Sequence, residues 1–169
     1  MSLLVPYDGT WPTQANDEMQ RWHDTVKGLI TVHHIGSTSV HGLPAKPILD
    51  LLPVFTDEAA ADASRGAIEE MGYEWMGAFG LDGRRYCRRI DPATGERRVH
   101  AHAYVQGHAD IRRHLAFRDA LRANASLRAA YASVKGACAA RHPDGGAEYG
   151  TCKSTWIAKT EARALERYL

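Results

Sequence analysis

The 169-residue chain has only three cysteines, Cys87, Cys138 and Cys152, and no C-x-x-C spacing among them. An odd count without paired spacing argues against a disulfide framework and for reduced thiols in a cytoplasmic protein. Long apolar runs are missing as well: none approaches the ~18 residues that a membrane span requires, and no basic-then-apolar leader opens the sequence. Low-complexity segments and internal repeats are absent, so neither a disordered linker nor a solenoid is indicated. Aromatic residues make up 8% of the chain and are not interleaved with its arginines. With a pI near 7.8, that pattern speaks against a nucleic-acid surface.

What is present describes a globular protein, at 44% hydrophobic and 24% charged residues. A chain of this length buries about 70% of its extended surface, enough for one domain over residues 1–169. The net charge of +1 conceals an asymmetry. Residues 1–83 hold 12 acidic and 4 basic side chains, whereas residues 84–135 hold 4 acidic and 12 basic ones. Such a division suits either solvated surfaces on separate elements or an arginine-rich wall focusing its field on a phosphorylated ligand.

Hydrophobic spacing orders the elements. Met19, Trp22, Val26, Leu29 and Ile30 recur every three or four residues, predicting an amphipathic helix over residues 13–30. Thr31–Ile35 and Pro47–Phe55 read as strands, the second opened by a proline where no ladder donor is needed. Thr56 or Asp57 caps a helix running to about Met71 and ended by Gly72. Tyr73–Phe79 reads as a short strand. Arg84–Ile90 and Glu96–Val105 flank the Asp91-Pro92-Ala93-Thr94-Gly95 turn as a β-hairpin. Three helices follow, at about 109–123, 126–141 and 146–168. With the short strand set aside, the order α-β-β-α-β-β-α-α-α predicts an α+β fold, a mixed sheet covered by helices.

One stretch carries chemistry: His34-Ile35-Gly36-Ser37-Thr38-Ser39, then Lys46-Pro47-Ile48-Leu49-Asp50-Leu51-Leu52. A small turn rich in hydroxyls leaves backbone N–H groups free to face an anion, and Lys46 can add positive charge. The same hydroxyls could instead serve only the turn's own backbone. Asp50 would stand beside the anion, where a divalent metal often bridges carboxylate and phosphate. Its simpler role would be to accept hydrogen bonds from the Gly36–Ser39 turn. His34 precedes the glycine on a buried strand and reads as a hydrogen-bonded core histidine.

Strand alternation tests which side chains meet, because every second residue shares a face. Asp50 shares one with Ile48, Leu52 and Val54, while His100 and His102 share one with Arg98 and Tyr104. The two histidines could face water, or they could converge with Asp50 on one metal or one phosphate. As a ligand set, Asp50, His100 and His102 would favour Zn²⁺ or Mn²⁺ over Mg²⁺. Arg85 and Arg89 share a hairpin face and Arg88 takes the other, so two of the three could line a cleft. Cys87, in mid-strand, reads as packing.

The string HIGSTSVHGLPAKPILDLL resembles the signature of the GrpB family, a group within the nucleotidyltransferase superfamily. The resemblance continues through His100-Ala101-His102, Phe117-Arg118-Asp119-Ala120-Leu121-Arg122, and Tyr131 with Lys135, and ends near Tyr149 and Lys153. His41 stands where the family has proline. The superfamily pattern is a Gly-Ser turn, roughly a dozen residues, then a strand bearing Asp-x-Asp/Glu. Gly36, Ser37 and Asp50 fit it, and Leu52 occupies the place of the second acid. Where the superfamily carries a third metal-binding carboxylate on the neighbouring strand, this chain has His100 and His102.

The resemblance implies a nucleotidyltransferase-like sheet and phosphate or nucleotide binding at Gly36, Ser37, Thr38, Ser39 and Lys46. Arg85, Arg118, Lys135, Tyr149 and Lys153 would help close the cleft, Arg118 with an internal ion pair as its other role. Asp50 would be catalytic, with a divalent metal and a nucleoside triphosphate as cofactor and substrate. Three functions compete. They are transfer of a nucleotidyl group to a small acceptor, a non-catalytic nucleotide- or anion-binding module, and a metal-dependent hydrolase or ligase using Asp50 with His100 and His102. GrpB-like domains also occur fused to dephospho-CoA kinase, which would suit the binding module. Neither nucleic acid nor a membrane is expected as partner.

Overall fold

The structure, a computed structural model, describes residues 2–168. Asp8 accepts from the Thr10 backbone N–H at 2.8 Å, just ahead of helix α1 (Trp11–Thr25), which has a proline in its first turn. The helix buries Trp11, Ala15, Glu18 and Trp22. It ends earlier than the apolar spacing predicts, because Gly28 at φ 79° turns the chain and delivers Leu29 and Ile30 into strand β1 (Leu29–Ile35). A 3₁₀ turn over Ser37–Ser39 follows, then β2 (Leu49–Phe55).

The single helix expected after β2 is two: α2 (Glu58–Ala63), capped by the Asp57 side chain, and α3 (Arg65–Glu70). Ser64 makes the break, its hydroxyl donating to Ala60 O at 2.8 Å and Lys27 O at 3.1 Å. A serine that bonds the backbone in this way competes with helix continuation. Strand β3 (Tyr73–Trp75) stops short of Phe79, since Gly77, Phe79 and Gly80 all take positive φ. The hairpin is β4 (Arg85–Ile90) and β5 (Arg97–Val105). Helices α4 (Ala109–Ala123), α5 (Ala125–Arg141) and α6 (Gly146–Arg167) complete the chain.

The strands form one mixed sheet in the order β1-β2-β5-β4-β3. Only β2 and β5 run parallel to each other; the remaining neighbours are antiparallel. Alternation along β5 places Val99, Ala101 and Ala103 in a core shared with Trp11, Trp22 and Ile68 from the N-terminal helices. The opposite face carries Ile35, Leu52, Val54 and Tyr104, packed against Ile111 and Leu115 of α4. His100 and His102 belong to that second face by parity, so the site opens toward the C-terminal helices. Leu52 is fully buried there. The place of a second acid is therefore core.

The cysteine expectation is corrected. Cys138 of α5 and Cys152 of α6 are disulfide-bonded, with Cα atoms 5.8 Å apart, and only Cys87 is free and buried. Spacing along the chain gave no sign of the pair, because it forms between two successive helices. The cytoplasmic setting inferred from reduced thiols loses that support. Among the described residues, no helix is long and apolar enough to cross a membrane.

Candidate functional site

Gly36 begins the site. Its φ of 73° is left-handed, and a Cβ there would lie 2.5 Å from Asp50 Oδ2, so only glycine lets the turn press against the carboxylate. The turn uses part of its own chemistry. Ser39 Oγ donates to Gly36 O at 2.5 Å, and Thr38 Oγ1 bonds His34 Nε2 at 2.8 Å. Burial holds the His34 ring down to about 4, as befits a neutral core histidine.

Asp50 enters from β2, directly opposite His100 in the parallel register. His102 Nε2 lies 3.1 Å from Asp50 Oδ1 and His100 Nδ1 lies 3.7 Å from the same oxygen. Burial alone would raise the Asp50 pKa; the hydrogen bond and charge of His102, with His100 and His114 nearby, outweigh it and hold the group low. Burial pushes His100 down to about 4 and His114 to about 3. The other nitrogen of His100, Nε2, is buried without a partner.

A cavity of about 220 Å³ adjoins this group, lined by Ser37, Thr38, Lys46, Asp50, His100, Lys135, Tyr149 and Lys153, with Ala45 and Ile48. Helix α5 supplies Lys135, and α6 supplies Tyr149 and Lys153 one turn apart. Lys46 and Lys153 place their ammonium groups 4.9 and 4.2 Å from the Tyr149 ring centroid. Lys135 is buried, donating to Pro44 O at 2.6 Å. Burial, then repulsion from Lys153, brings Lys135 to about 7; burial, then repulsion from Lys46, brings Lys153 to about 8. Lys46 is lowered too, chiefly by burial. The Tyr149 hydroxyl is buried and has no partner. Three cations thus surround a space whose lining holds one carboxylate.

Other expected residues go elsewhere. Arg85 lies on the opposite sheet face, where its guanidinium binds Asp62 of α2 at 2.6 and 3.1 Å. It shares that face with Cys87 and with Arg89, which binds the buried Glu18. Arg118 makes the internal pair weighed above, to Asp119 at 2.8 Å, and also donates to His34 O at 3.1 Å. Neither arginine lines the cavity. Ser39 turns away from it as well, its carbonyl accepting from Arg122. Among the described residues, no three His, Cys, Asp or Glu side chains group as a metal would require. His100, His102 and Asp50 address each other at one oxygen.

Sequence reasoning missed two neighbours. Tyr86 packs its ring 5.4 Å from His102 and 5.7 Å from His100, a place its alternation with Cys87 could have revealed. His114 of α4 lies 5.6 Å from His102, and no local pattern announces it. A larger cavity of about 580 Å³, with Ala116 and Asp119 of α4 and Thr160 and Arg163 of α6 in its lining, does not include Asp50.

The pattern of the family described as GrpB protein matches residues 3–163. The chain belongs to the GrpB family. A crystal structure of the conserved protein GrpB from Enterococcus faecalis superposes with a TM-score of 0.90 at 39% identity, covering 98% of each chain. Among curated relatives, the UPF0157 protein YqkA of Bacillus subtilis is 36% identical over 163 residues. Those residues are 95% of this chain but 46% of that protein, so the chain spans about half the length of that relative. The Cid1 poly(U) polymerase, in a structure bound to MgATP, gives a TM-score of 0.56 at 10% identity, over 85% of this chain and 47% of that one. At such identity the likeness is one of fold. This GrpB-family chain has a nucleotidyltransferase-like α+β fold.

Proposed function

We propose that the protein binds a nucleotide or other phosphorylated small molecule in the Asp50 cavity. Its phosphates would lie among Lys46, Lys135 and Lys153, against the Gly36–Ser37 turn. One observation carries this most of all: three lysines converge on a space lined by a single carboxylate, and burial has brought two of them near neutrality. Clustered, desolvated ammonium groups without a paired counter-ion are costly, and a polyanion removes that cost. The unpartnered Tyr149 hydroxyl and His100 Nε2 supply further polar contacts.

Nucleotidyl transfer to a small acceptor is the second reading, favoured by the fold and by the Asp50–His102 contact. Asp50 orients the imidazole, and His102 would take a proton from an acceptor hydroxyl. A metal ion enters this reading only as the counter-ion that a polyphosphate brings, because Leu52 offers no oxygen and the imidazoles are turned to Asp50. A hydrolase built on Asp50, His100 and His102 as resident metal ligands finds no support in that geometry.

Calorimetric titration with tripolyphosphate and with ATP at pH 7 tests the proposal. Lys153→Met should weaken both by about 10-fold, the scale of a lost hydrogen bond to a charged group. Failure of the unaltered protein to bind either at millimolar concentration would overturn it.

A further inference from the structure

The loop between β3 and β4 presents an unusual side chain beside the site. Phe79 is 57% exposed and, among the described residues, is the only non-glycine with positive φ, at 47°. A bulky residue in that region is strained, and such strain persists only where the surroundings impose it. Here Arg84 imposes it. Its guanidinium donates to Ala78 O at 3.2 Å and to Phe79 O at 2.6 Å, and it lies 5.0 Å from the Tyr86 ring centroid. The Phe79 ring is stacked on Tyr86 at 5.3 Å and 21°. Tyr86 in turn touches both imidazoles at Asp50. Phe79 is thus two ring contacts from His102, which itself bonds the carboxylate.

The Phe79 ring helps cover Tyr86, yet it stands on a strained backbone at the edge of a polar site and stays more exposed than that packing requires. One of its faces is spent on Tyr86, and the side chain is still mostly open to solvent. We propose that Phe79, backed by Tyr86 and splinted by Arg84, is a stacking subsite for a planar aromatic ring. The lysines belong to the cavity beyond Asp50, so the ring and the phosphates would lie to either side of that carboxylate. This inference rests on the phosphorylated-ligand proposal above and adds the ring as a recognised feature. The ring belongs either to the phosphorylated ligand itself, as a nucleobase, or to a second molecule bound beside it. Stacking needs only a π-face, so this subsite would tolerate different rings.

Titration of the full chain with tripolyphosphate, with ATP, and with adenosine in the presence of saturating tripolyphosphate separates the cases. Phe79→Gly relieves the backbone strain, so thermal stability should hold or rise. Ring binding should nevertheless fall about 10-fold, the scale of one lost base–aromatic stack, and Phe79→Trp should restore it. Tripolyphosphate affinity should be the same in all three proteins. Weakening of ATP, with or without adenosine, places the ring on the phosphorylated ligand, and weakening of adenosine with ATP unchanged places it on a separate molecule. The subsite is overturned if Phe79→Gly leaves ATP and adenosine binding unchanged, or if its only effect is a loss of stability. Absence of tripolyphosphate binding in the unaltered protein would instead count against the lysine pocket.

Discussion

Asp50 and His102 meet across two parallel neighbouring strands, with His102 Nε2 3.1 Å from Asp50 Oδ1. The register of β2 and β5 makes this contact, since it sets Asp50 opposite His100 and leaves His102 on the same face two residues on. The Asp50 carboxylate is therefore bonded to histidine on one oxygen and pressed against Gly36 on the other.

Asp50→Asn separates binding from transfer. The amide keeps the shape and removes the only negative charge lining the lysine cavity, so triphosphate affinity should hold or rise. Any nucleotidyl transfer should fall by about 10²-fold or more. Parallel titration and turnover measurements check this. Weaker binding in the variant would mean that Asp50 contacts the ligand as a hydrogen-bond acceptor.

Gly36→Ala tests the turn. The added Cβ would stand 2.5 Å from Asp50 Oδ2, on a backbone at φ 73°, so both strain and collision apply. A loss of about 1–3 kcal/mol in urea unfolding is expected, together with weaker triphosphate binding because the carboxylate must move. A change within a few tenths of a kcal/mol would show that the turn adapts.

The lysines predict a pH dependence of binding. Lys135 titrates near 7 and Lys153 near 8 in the ligand-free protein, so each loses its charge as pH rises through those values. Triphosphate affinity should fall from pH 6 to pH 9, with proton uptake on binding near pH 8, seen as a buffer-dependent calorimetric enthalpy. Stability has the opposite sign. Both folded-state values lie below the ordinary lysine value of 10.5, so between about pH 7 and 10.5 the unfolded chain binds more protons. The ligand-free protein should gain stability from these groups across that window.

Arg85 and Glu18 are controls on the opposite sheet face. Arg85→Ala removes a pair with the exposed Asp62 and should cost about 1 kcal/mol or less, leaving triphosphate affinity unchanged. Glu18→Ala strips a buried carboxylate from Arg21, Arg89 and Tyr73. It should cost about 3–5 kcal/mol by denaturant unfolding, because Arg89 is left without its partner. A fall in affinity with Arg85→Ala would return that arginine to the site.

The sequence was most legible where period and geometry coincide. Alternation along β2 and β5 sufficed to bring Asp50, His100 and His102 to one face, and the 91–95 turn located the hairpin. The Arg85 expectation had the parity but not the face. Cys87 carried the missing signal, because a cysteine read as core packing assigns its neighbours at two-residue spacing to the core side. Three features depended on contacts distant in sequence: the helix break at Ser64, bonded to Lys27 O; His114 beside His102; and the Cys138–Cys152 bond. Local spacing holds no trace of such contacts. The two α6 residues Tyr149 and Lys153 came from the family resemblance, since a lysine on a helix is ordinarily a solvent-facing residue.

The most direct test of the lysine pocket is a crystal structure with a non-hydrolysable nucleoside triphosphate soaked in at pH 7. Phosphate density is expected among Lys46, Lys135 and Lys153, against the Gly36–Ser37 turn. Density confined to the surface arginines, with that cavity empty, would contradict it.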